Sequence, residues 1–358
     1  MHKIGIALLL IAFLTQSRSN GQASYNEEIK IAASSFVQAL SPLQKRSALL
    51  AFNDTARLKW NNLPVGMRAR AGISIGDMTE EQRRILHRIL SAGLSSQGYL
   101  KATGIMHLDN LLNMWVDTAY ARNEFNDDTK KFLVDLKWSH RNYYLAFFGL
   151  PTDANWGFKV EGHHLSVNMT FAGDKVSVTP WFIGTDPAEI QLTQYAGWRV
   201  LGQEEDLGIT LIKMLTADQQ KKATKVGEVP GDIITAAESG NRLIDQWGIK
   251  GSELNKKQKE VLLYIIREYV FNMEYVKATE EYEKILKAGI DNIYFGWIGP
   301  YEEFKQHYFV LNGPTFLIEF DNAGGPRQMA NHIHTIWREK GNEYGEDILK
   351  KHYKEEKH

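Results

Sequence analysis

Two histidines that lie two positions apart, in the segment NHIHTIWR, have the clearest chemical potential in this 358-residue sequence. On a β-strand alternate side chains share a face, so His332 and His334 point the same way, with Cβ atoms about 6.5–7 Å apart. Both imidazoles can then reach one ion, because zinc–nitrogen bonds are about 2.0–2.1 Å long. Core packing or an acid–base pair would also account for this spacing.

A second histidine pair lies in the segment EGHHLSVNMTF. If the segment is a strand, His163 shares a face with apolar residues, whereas His164 shares the polar face that continues at Ser166. The pattern favours His164 as the member that faces a site. Either residue is a candidate third ligand beside His332 and His334.

Charged side chains lie near these histidines. Glu319 and Asp321 share one face of the segment TFLIEFDN, which directly precedes the His-x-His segment, so a hairpin would bring one of them beside a histidine. Such a carboxylate ligates a metal, orients an imidazole through its other nitrogen or acts as a general base. Arg338 follows the histidines and would bind an anionic substrate group, or pair with Glu339 or Glu343.

The elements that must position these residues form two blocks of strands. Residues with a period of two occupy about 142–184, as three strands, and about 291–338, as four strands. Helical spacing dominates 26–121 and 203–288. Because helices and strands do not alternate regularly, we predict an α+β fold whose mainly antiparallel sheet is built from both strand blocks and covered by helices. We find no repeat period, and we predict a single domain over 24–358.

Composition excludes several classes of function. Lys and Arg total 42 against 43 Asp and Glu, so there is no overall basic field and we predict no nucleic-acid partner. The absence of Cys excludes thiol catalysis and thiolate metal ligands, so a metal must bind to His, carboxylates or other oxygen donors. The sequence also lacks a P-loop, a Gly-x-Gly-x-x-Gly motif and a His-Glu-x-x-His motif.

The first residues have the pattern of a secretory signal peptide. Lys3 precedes an apolar run from Ile4 to Leu14, and small residues follow at Gly21 and Ala23. The apolar run is shorter than the about 20 residues that span a bilayer. We therefore predict a signal peptide over 1–23, cleavage near Ala23, and a secreted or periplasmic protein without a membrane segment after cleavage.

Several segments together resemble a bacterial domain-of-unknown-function family, number 3500. They include YYLAFFGLP, GHHLSVNMTFAG, TPWFIGTDPAEI, LGQEEDLG, GPTFLIEFDN and NHIHTIWREKGNEYG, in this order between about residues 30 and 355. The resemblance implies one domain over nearly the whole chain and export in many members. It implies no activity and no catalytic assignment. It directs attention to His163, His164, His332, His334 and Arg338.

The first function that these residues predict is a secreted metal-dependent enzyme, hydrolytic or oxidative, acting on a small-molecule or glycan substrate. Zinc or copper suits imidazole ligands best. The candidate metal ligands are His163, His164, His332 and His334. The candidate catalytic groups are Glu319, Asp321 and Arg338. A shared site requires that the nearest nitrogens of the two histidine segments lie within about 5 Å of each other.

Two alternatives remain open. The first is a non-catalytic exported binding protein for a small organic or sugar ligand. In such a protein, aromatic residues would line the pocket, for example Trp156, Trp181, Tyr294 and Trp297. The second is a metal-free enzyme that uses a histidine and a carboxylate as acid and base. The sequence predicts neither the substrate nor the oligomeric state.

Overall fold

A twelve-stranded sheet runs through the residues that the computed structural model describes, which are 25–237, 239–324 and 330–355. The predicted signal peptide lies outside these residues. The helices are α1 (25–39), α2 (Pro42–Ala48), α3 (Glu80–Gly93), α4 (Ser96–Ala121), α5 (Asp127–Asp135), α6 (Gly202–Met214), α7 (Ala217–Ala223), α8 (Lys256–Val270), α9 (Tyr275–Ala288) and α10 (Glu346–Glu355). The strands are β1 (Leu49–Leu50), β2 (Ile73–Ser74), β3 (Tyr144–Phe148), β4 (Asn155–Gly162), β5 (Leu165–Ala172), β6 (Lys175–Ser177), β7 (Trp181–Thr185), β8 (Ile249–Lys250), β9 (Tyr294–Ile298), β10 (His307–Asn312), β11 (Phe316–Gly324) and β12 (Ala330–Glu339).

Both strand blocks contribute to the one sheet, which confirms the predicted α+β fold. The strand order is β1-β3-β4-β5-β7-β12-β11-β10-β9-β8, with β2 on β3 and β6 on β5. All pairings are antiparallel except that of β1 with β3. The two blocks meet where β7 pairs with β12, and Trp181 lies opposite Trp337 there. The seam between the blocks therefore lies in the middle of the sheet.

The two halves of the chain repeat the same arrangement, which the sequence pattern did not predict. In the first half, capping boxes begin α2 and α3, and the Gln82 side chain donates to Gln44 Oε1 at 2.9 Å. In the second half, capping boxes begin α7 and α8, and the Gln258 side chain donates to Gln219 Oε1 at 2.8 Å. Each helix pair leads into an antiparallel meander, β3-β4-β5 or β9-β10-β11.

Few residue types are shared between the halves, which explains why no repeat is visible in the sequence. The four capping boxes begin with Ser41, Thr79, Thr216 and Asn255, and only the glutamine three positions later is constant. Where the first meander turns at Gly-His-His-Leu, the second turns at Gly-Pro-Thr-Phe. The fold is duplicated, whereas the histidine-bearing turn occurs in the first half alone.

The two faces of the sheet have different covers. Apolar side chains of α1, α3, α4, α6, α8 and α9 pack on one face, in a core with strand residues such as Ile183, Ile318 and Ile333. The opposite face is covered by loops, and Phe182 and Ile336 on that face pack against Trp60 and Ile233. Because Ile336 shares its face with His334, the histidines of β12 lie on the face that the loops cover.

Two of the predicted strands are each divided in the structure. The alternation in WGFKVEGHHLSVNMTF, the second segment of the first strand block, predicts one strand, but β4 ends at Gly162 and β5 begins at Leu165, so the two histidines form a hairpin turn. KVSVTPWFIG is divided into β6 and β7 at a cis Thr179–Pro180 bond, since proline cannot donate to the ladder. The four strands predicted over 291–338 are confirmed as β9 to β12.

Among the described residues, we find no helix with the length and apolar character needed to cross a membrane.

Candidate metal centre

Three imidazoles converge at the seam between the two halves. His332 Nε2 lies 2.8 Å from His164 Nε2 and 3.1 Å from His334 Nε2. These separations lie within the 5 Å that a shared site requires. Among the described residues, His164, His332 and His334 form the one group of three potential ligands whose donor atoms all lie within 4.8 Å of one another. We call this group the histidine triad.

The hairpin turn and a glycine together bring His164 to the triad. His164 has φ = 59°, its amide donates to the Asn62 carbonyl at 3.0 Å, and its carbonyl accepts from the Gly184 amide at 2.8 Å. Gly184 also lies directly opposite His334 on β12. A Cβ atom at Gly184 would lie 3.1 Å from Cδ2 of both His164 and His334. Because Gly184 has no side chain, the rings of His164 and His334 can both occupy this space.

A carboxylate from a loop orients the third imidazole. His334 Nδ1 lies 2.8 Å from Asp232 Oδ1, and the carboxylate of Asp232 is partly exposed. Because a carboxylate accepts, Nδ1 carries the hydrogen and the lone pair of Nε2 faces His332. A metal-ligating histidine commonly has this carboxylate partner, which fixes both its tautomer and its orientation.

Glu319 and Arg338 hold the loop that carries Asp232. The carboxylate of Glu319 is buried and accepts from the amides of Ile234 and Thr235 at 2.7 and 3.2 Å and from Tyr308 at 2.8 Å. Arg338 donates to Thr235 Oγ1 at 2.9 Å and to its carbonyl at 2.6 Å. Both side chains are fully engaged inside the protein, so we interpret them as supports of the loop and not as catalytic groups.

His163 lies behind the triad and outside it. Its ring stacks on that of His164 with centroids 3.7 Å apart, and its Nδ1 lies 2.6 Å from Asp109 Oδ1 on α4. Tyr143 donates to Asp109 Oδ2 at 3.0 Å, which completes a buried group. His163 therefore packs against the ring of a ligand candidate, and its nitrogens are not among the converging donor atoms.

A hydrogen-bond chain from α6 fixes the backbone at His332. The side-chain oxygen of Asn322 accepts from the His332 amide at 3.1 Å, and its nitrogen donates to Glu205 at 2.6 Å. Glu205 in turn pairs with Arg199 at 2.8 Å. Glu205 belongs to the segment GQEEDLG, with which helix α6 begins. This buried glutamate therefore has a structural partner, Asn322, near the triad.

Burial favours the neutral form of two of the imidazoles. It lowers the pKa of His332 to about 4, and the neighbouring His334 adds to this fall. Burial, reinforced by His163, lowers the pKa of His164 well below its usual value. Neutral imidazole is the form that binds a metal, because the cationic form has no free lone pair.

Asp321 lies opposite His334 in the β11–β12 ladder and is buried. Within the described part of the chain, neither carboxylate oxygen of Asp321 makes a hydrogen bond of standard geometry. Burial raises the pKa of Asp321 to about 7, and the negative charge of Asp232 adds to the rise. Asp321 is not a member of the histidine triad. It is a buried carboxyl group next to it.

A cavity of about 510 Å³ opens onto the triad. Its walls are largely apolar, and Asp186 and Asn331 lie near the histidines in its lining. The aromatic residues suggested from the sequence do not line it: Trp156, Trp181 and Trp297 are buried in the core. The aromatic residues of the cavity are Trp115, Phe125, Phe132 and Trp138.

The donor set fits a zinc or copper ion. Bonds of about 2.0–2.1 Å at tetrahedral angles place ligand nitrogens about 3.3–3.4 Å apart. The observed separations of 2.8 and 3.1 Å are slightly shorter, so small rotations of the rings would admit an ion. The space left by the missing side chain of Gly184, which we call the gap, gives the two rings room to make these rotations. The carboxylate of Asp232 gives His334 the orientation that a ligand needs.

Sequence reasoning missed the groups that come from distant loops. Asp232 lies about one hundred positions before His334, and Asp186 follows β7 directly before a proline. The Pro-Gly-Asp segment at 230–232 was the available signal for Asp232, because a turn can present a carboxylate. No local signal indicates that Gly184 faces two imidazoles.

Comparison with known proteins leads to a family but to no described activity. No match was found among curated proteins or among solved structures. A family model described as "Protein of unknown function (DUF3500)" matches residues 22–346, which is most of the chain. The protein therefore belongs to the DUF3500 family, as the resemblance of its histidine segments implies.

Proposed function

We propose that this protein is a metal-dependent enzyme, hydrolytic or oxidative, with a zinc or copper ion held by His164, His332 and His334. The observation that carries the proposal is the convergence of the three imidazoles at the end of a cavity. Three protein ligands leave further coordination positions open, which is typical of catalytic rather than structural sites. When bound, zinc supplies Lewis acidity, which acidifies a coordinated water, and copper supplies one-electron chemistry.

The residues of this chain divide the remaining tasks. Asp232 holds the Nδ1 hydrogen of His334 and so keeps Nε2 available as a donor. Asp186 lines the same cavity, and its negative charge raises the pKa of His332 against the effect of burial. A carboxylate in this position is suited to take a proton from a substrate or from water during reaction. We assign to Asp186 the role of general base that the sequence suggested for Glu319 or Asp321.

Metal analysis of purified protein tests the proposal directly. We expect about one zinc or copper ion per chain, and loss of that ion in His334→Ala and in His334→Gln, whereas the melting temperatures of the metal-free proteins should differ little. His107→Ala is the matched control, because His107 is exposed on α4 and outside the triad. Equal metal content in the wild type, both His334 variants and the control would refute the ligand role.

The identity of the ion separates the two reaction classes. A copper(II) centre gives an electron paramagnetic resonance signal, whereas zinc gives none. Zinc predicts hydrolysis of chromogenic carboxylic esters, and copper predicts oxidation of phenols in air. In both cases we expect activity to disappear when the metal is chelated and to return when it is restored.

A binding protein for a small organic or sugar ligand is the second candidate, and the apolar cavity favours its small-organic form. Such a protein does not need a metal for chemistry. Tight ligand binding by metal-free protein, together with no metal-dependent turnover of either probe class, would favour this candidate over the enzyme.

We also propose that the chain is exported through its N-terminal signal peptide. The supporting pattern is Lys3, the apolar run to Leu14 and the small residues at Gly21 and Ala23. Mass spectrometry of protein recovered from the periplasm or medium should place the mature N-terminus close to Ser24. Recovery of a chain that still begins at Met1 would contradict export by cleavage.

A further inference from the structure

The cavity in front of the triad has the size and the walls of a site for an apolar molecule. Its volume of about 510 Å³ lies within the range of about 300–1,000 Å³ that is common for small-molecule sites. Among the described residues, four Trp and Phe side chains line it: Trp115, Phe125, Phe132 and Trp138. They come from α4, from α5 and from the segments that follow these helices.

The wall area of the cavity is mostly apolar, although half of the lining residues have polar side chains, and several of these polar groups are already engaged. The Asn331 side chain accepts from the Glu189 amide at 2.7 Å and donates to its carbonyl at 3.0 Å. His163 is paired with Asp109. Neither lysine nor arginine occurs among the described residues that line the cavity. A sugar would lose the hydration of many hydroxyl groups here and would meet a wall that is mostly apolar.

Apolar side chains also remain exposed where the cavity reaches the surface. Phe132 is 59% exposed and Met67 is 49% exposed, although both line the cavity. Exposed apolar groups that border a concave site mark a surface that a ligand covers. The exposed part of the wall is therefore available to an apolar body that extends out of the cavity.

We propose that the cavity binds a small aromatic molecule whose one polar group faces the histidine triad. The aromatic body contacts Phe132 and Trp138, and the polar group lies at the end formed by His164, His332 and His334. The polar half of this inference rests on the proposed metal centre. The apolar half rests on the walls alone and can be tested without metal.

Two hydroxamic acids with the same chelating group test the substrate class on metal-loaded protein. Benzohydroxamic acid carries a phenyl ring, whereas acetohydroxamic acid carries a methyl group. Burial of the ring should make the first bind at least about 10-fold more tightly in calorimetric titrations. Equal affinities would overturn the aromatic specificity while leaving the metal centre intact.

A pair of variants on one helix shows whether the ring lies against the proposed wall. Phe132→Ser removes an exposed wall residue of α5 and should reduce the ratio of affinities at least about threefold. Val134→Ser is the matched control, because Val134 is 51% exposed on the same helix and does not line the cavity. An unchanged ratio in Phe132→Ser, or an equal loss in both variants, would contradict the proposed location.

Indole and glucose on metal-stripped protein separate this proposal from that of the metal centre. We expect saturation-transfer signals from indole, weakened in Phe132→Ser, and none from glucose. If the purified protein holds no metal but indole binds in this way, the enzyme proposal fails and the aromatic site stands. Binding of glucose in place of indole, or of neither compound, would overturn the aromatic site whatever the metal content.

Discussion

Replacement of Gly184 by alanine tests whether the space above this residue is what lets two imidazoles share a ligand. The added methyl carbon would lie 2.7 Å from the Ile333 carbonyl oxygen and 3.1 Å from Cδ2 of both His164 and His334. The first contact is too short for any real structure, and the other two are tight. Strand β7 must therefore shift against β12, and the two rings must turn away from each other.

The expected magnitudes follow from these contacts. Overpacking inside a sheet typically lowers the free energy of unfolding by about 1–3 kcal/mol. Displacement of ligands by a change in their support typically weakens metal binding by about 10–100-fold, or about 1.4–2.8 kcal/mol. We expect Gly184→Ala to show both effects. Melting curves of metal-free protein measure the first, and competition with a chromogenic chelator measures the second.

Gly157→Ala is a control with the same backbone conflict at a distance from the triad. A methyl group there would lie 2.6 Å from the Met169 carbonyl oxygen across β4 and β5, and no imidazole is among its near neighbours. This variant should lose a similar stability yet keep the metal affinity of the wild type. Unchanged metal affinity in Gly184→Ala, or an equal loss in both variants, would refute the role of the gap.

Three further substitutions separate ligands from their supports. Asp232→Asn should weaken zinc binding by about 10–100-fold in a chelator competition, with little change in the melting of metal-free protein, because it removes the charge that orients His334. Glu319→Ala should lower the free energy of unfolding in urea by about 3 kcal/mol or more, because it leaves several buried donors without an acceptor, and zinc affinity should fall with it; an unaltered affinity would disconnect the loop from the centre. His163→Ala should lower the free energy of unfolding by about 1–3 kcal/mol in melting experiments, because Oδ1 of buried Asp109 loses its partner, but elemental analysis should find the metal retained; loss of the metal would make His163 a ligand.

Local periodicity was sufficient to predict the faces of the strands. The alternation in β12 places His332 and His334 on one side and Ile333 on the other, as the structure has them, since successive residues of a strand must point to opposite faces. The same reasoning placed Glu319 and Asp321 on one side of β11. These predictions depend on neighbours within the same strand, which the sequence contains.

Other features depend on contacts that the sequence does not display. The sequence pattern predicts a strand through Gly-His-His-Leu because histidine is not a typical turn residue, and the left-handed conformation of His164 is fixed by partners at Asn62 and Gly184. Asp232 reaches His334 because Glu319 accepts a hydrogen bond from the Ile234 amide and so fixes the loop that carries Asp232. Each of these contacts joins residues that are far apart in the chain.

The duplicated halves have a consequence for how the protein opens. His164 belongs to the first half and His332 and His334 to the second, so an ion bound to all three bridges the seam between β7 and β12. Such an ion has three ligands only when the halves are joined, whereas the second half alone offers two, and it therefore stabilises their association by mass action. Amide hydrogens of β7 and β12 should exchange with deuterium more slowly when metal is added, whereas those of the outer strands β3 and β9 should change less. The metal would then lower the frequency of local opening between β7 and β12, where the two similar halves meet.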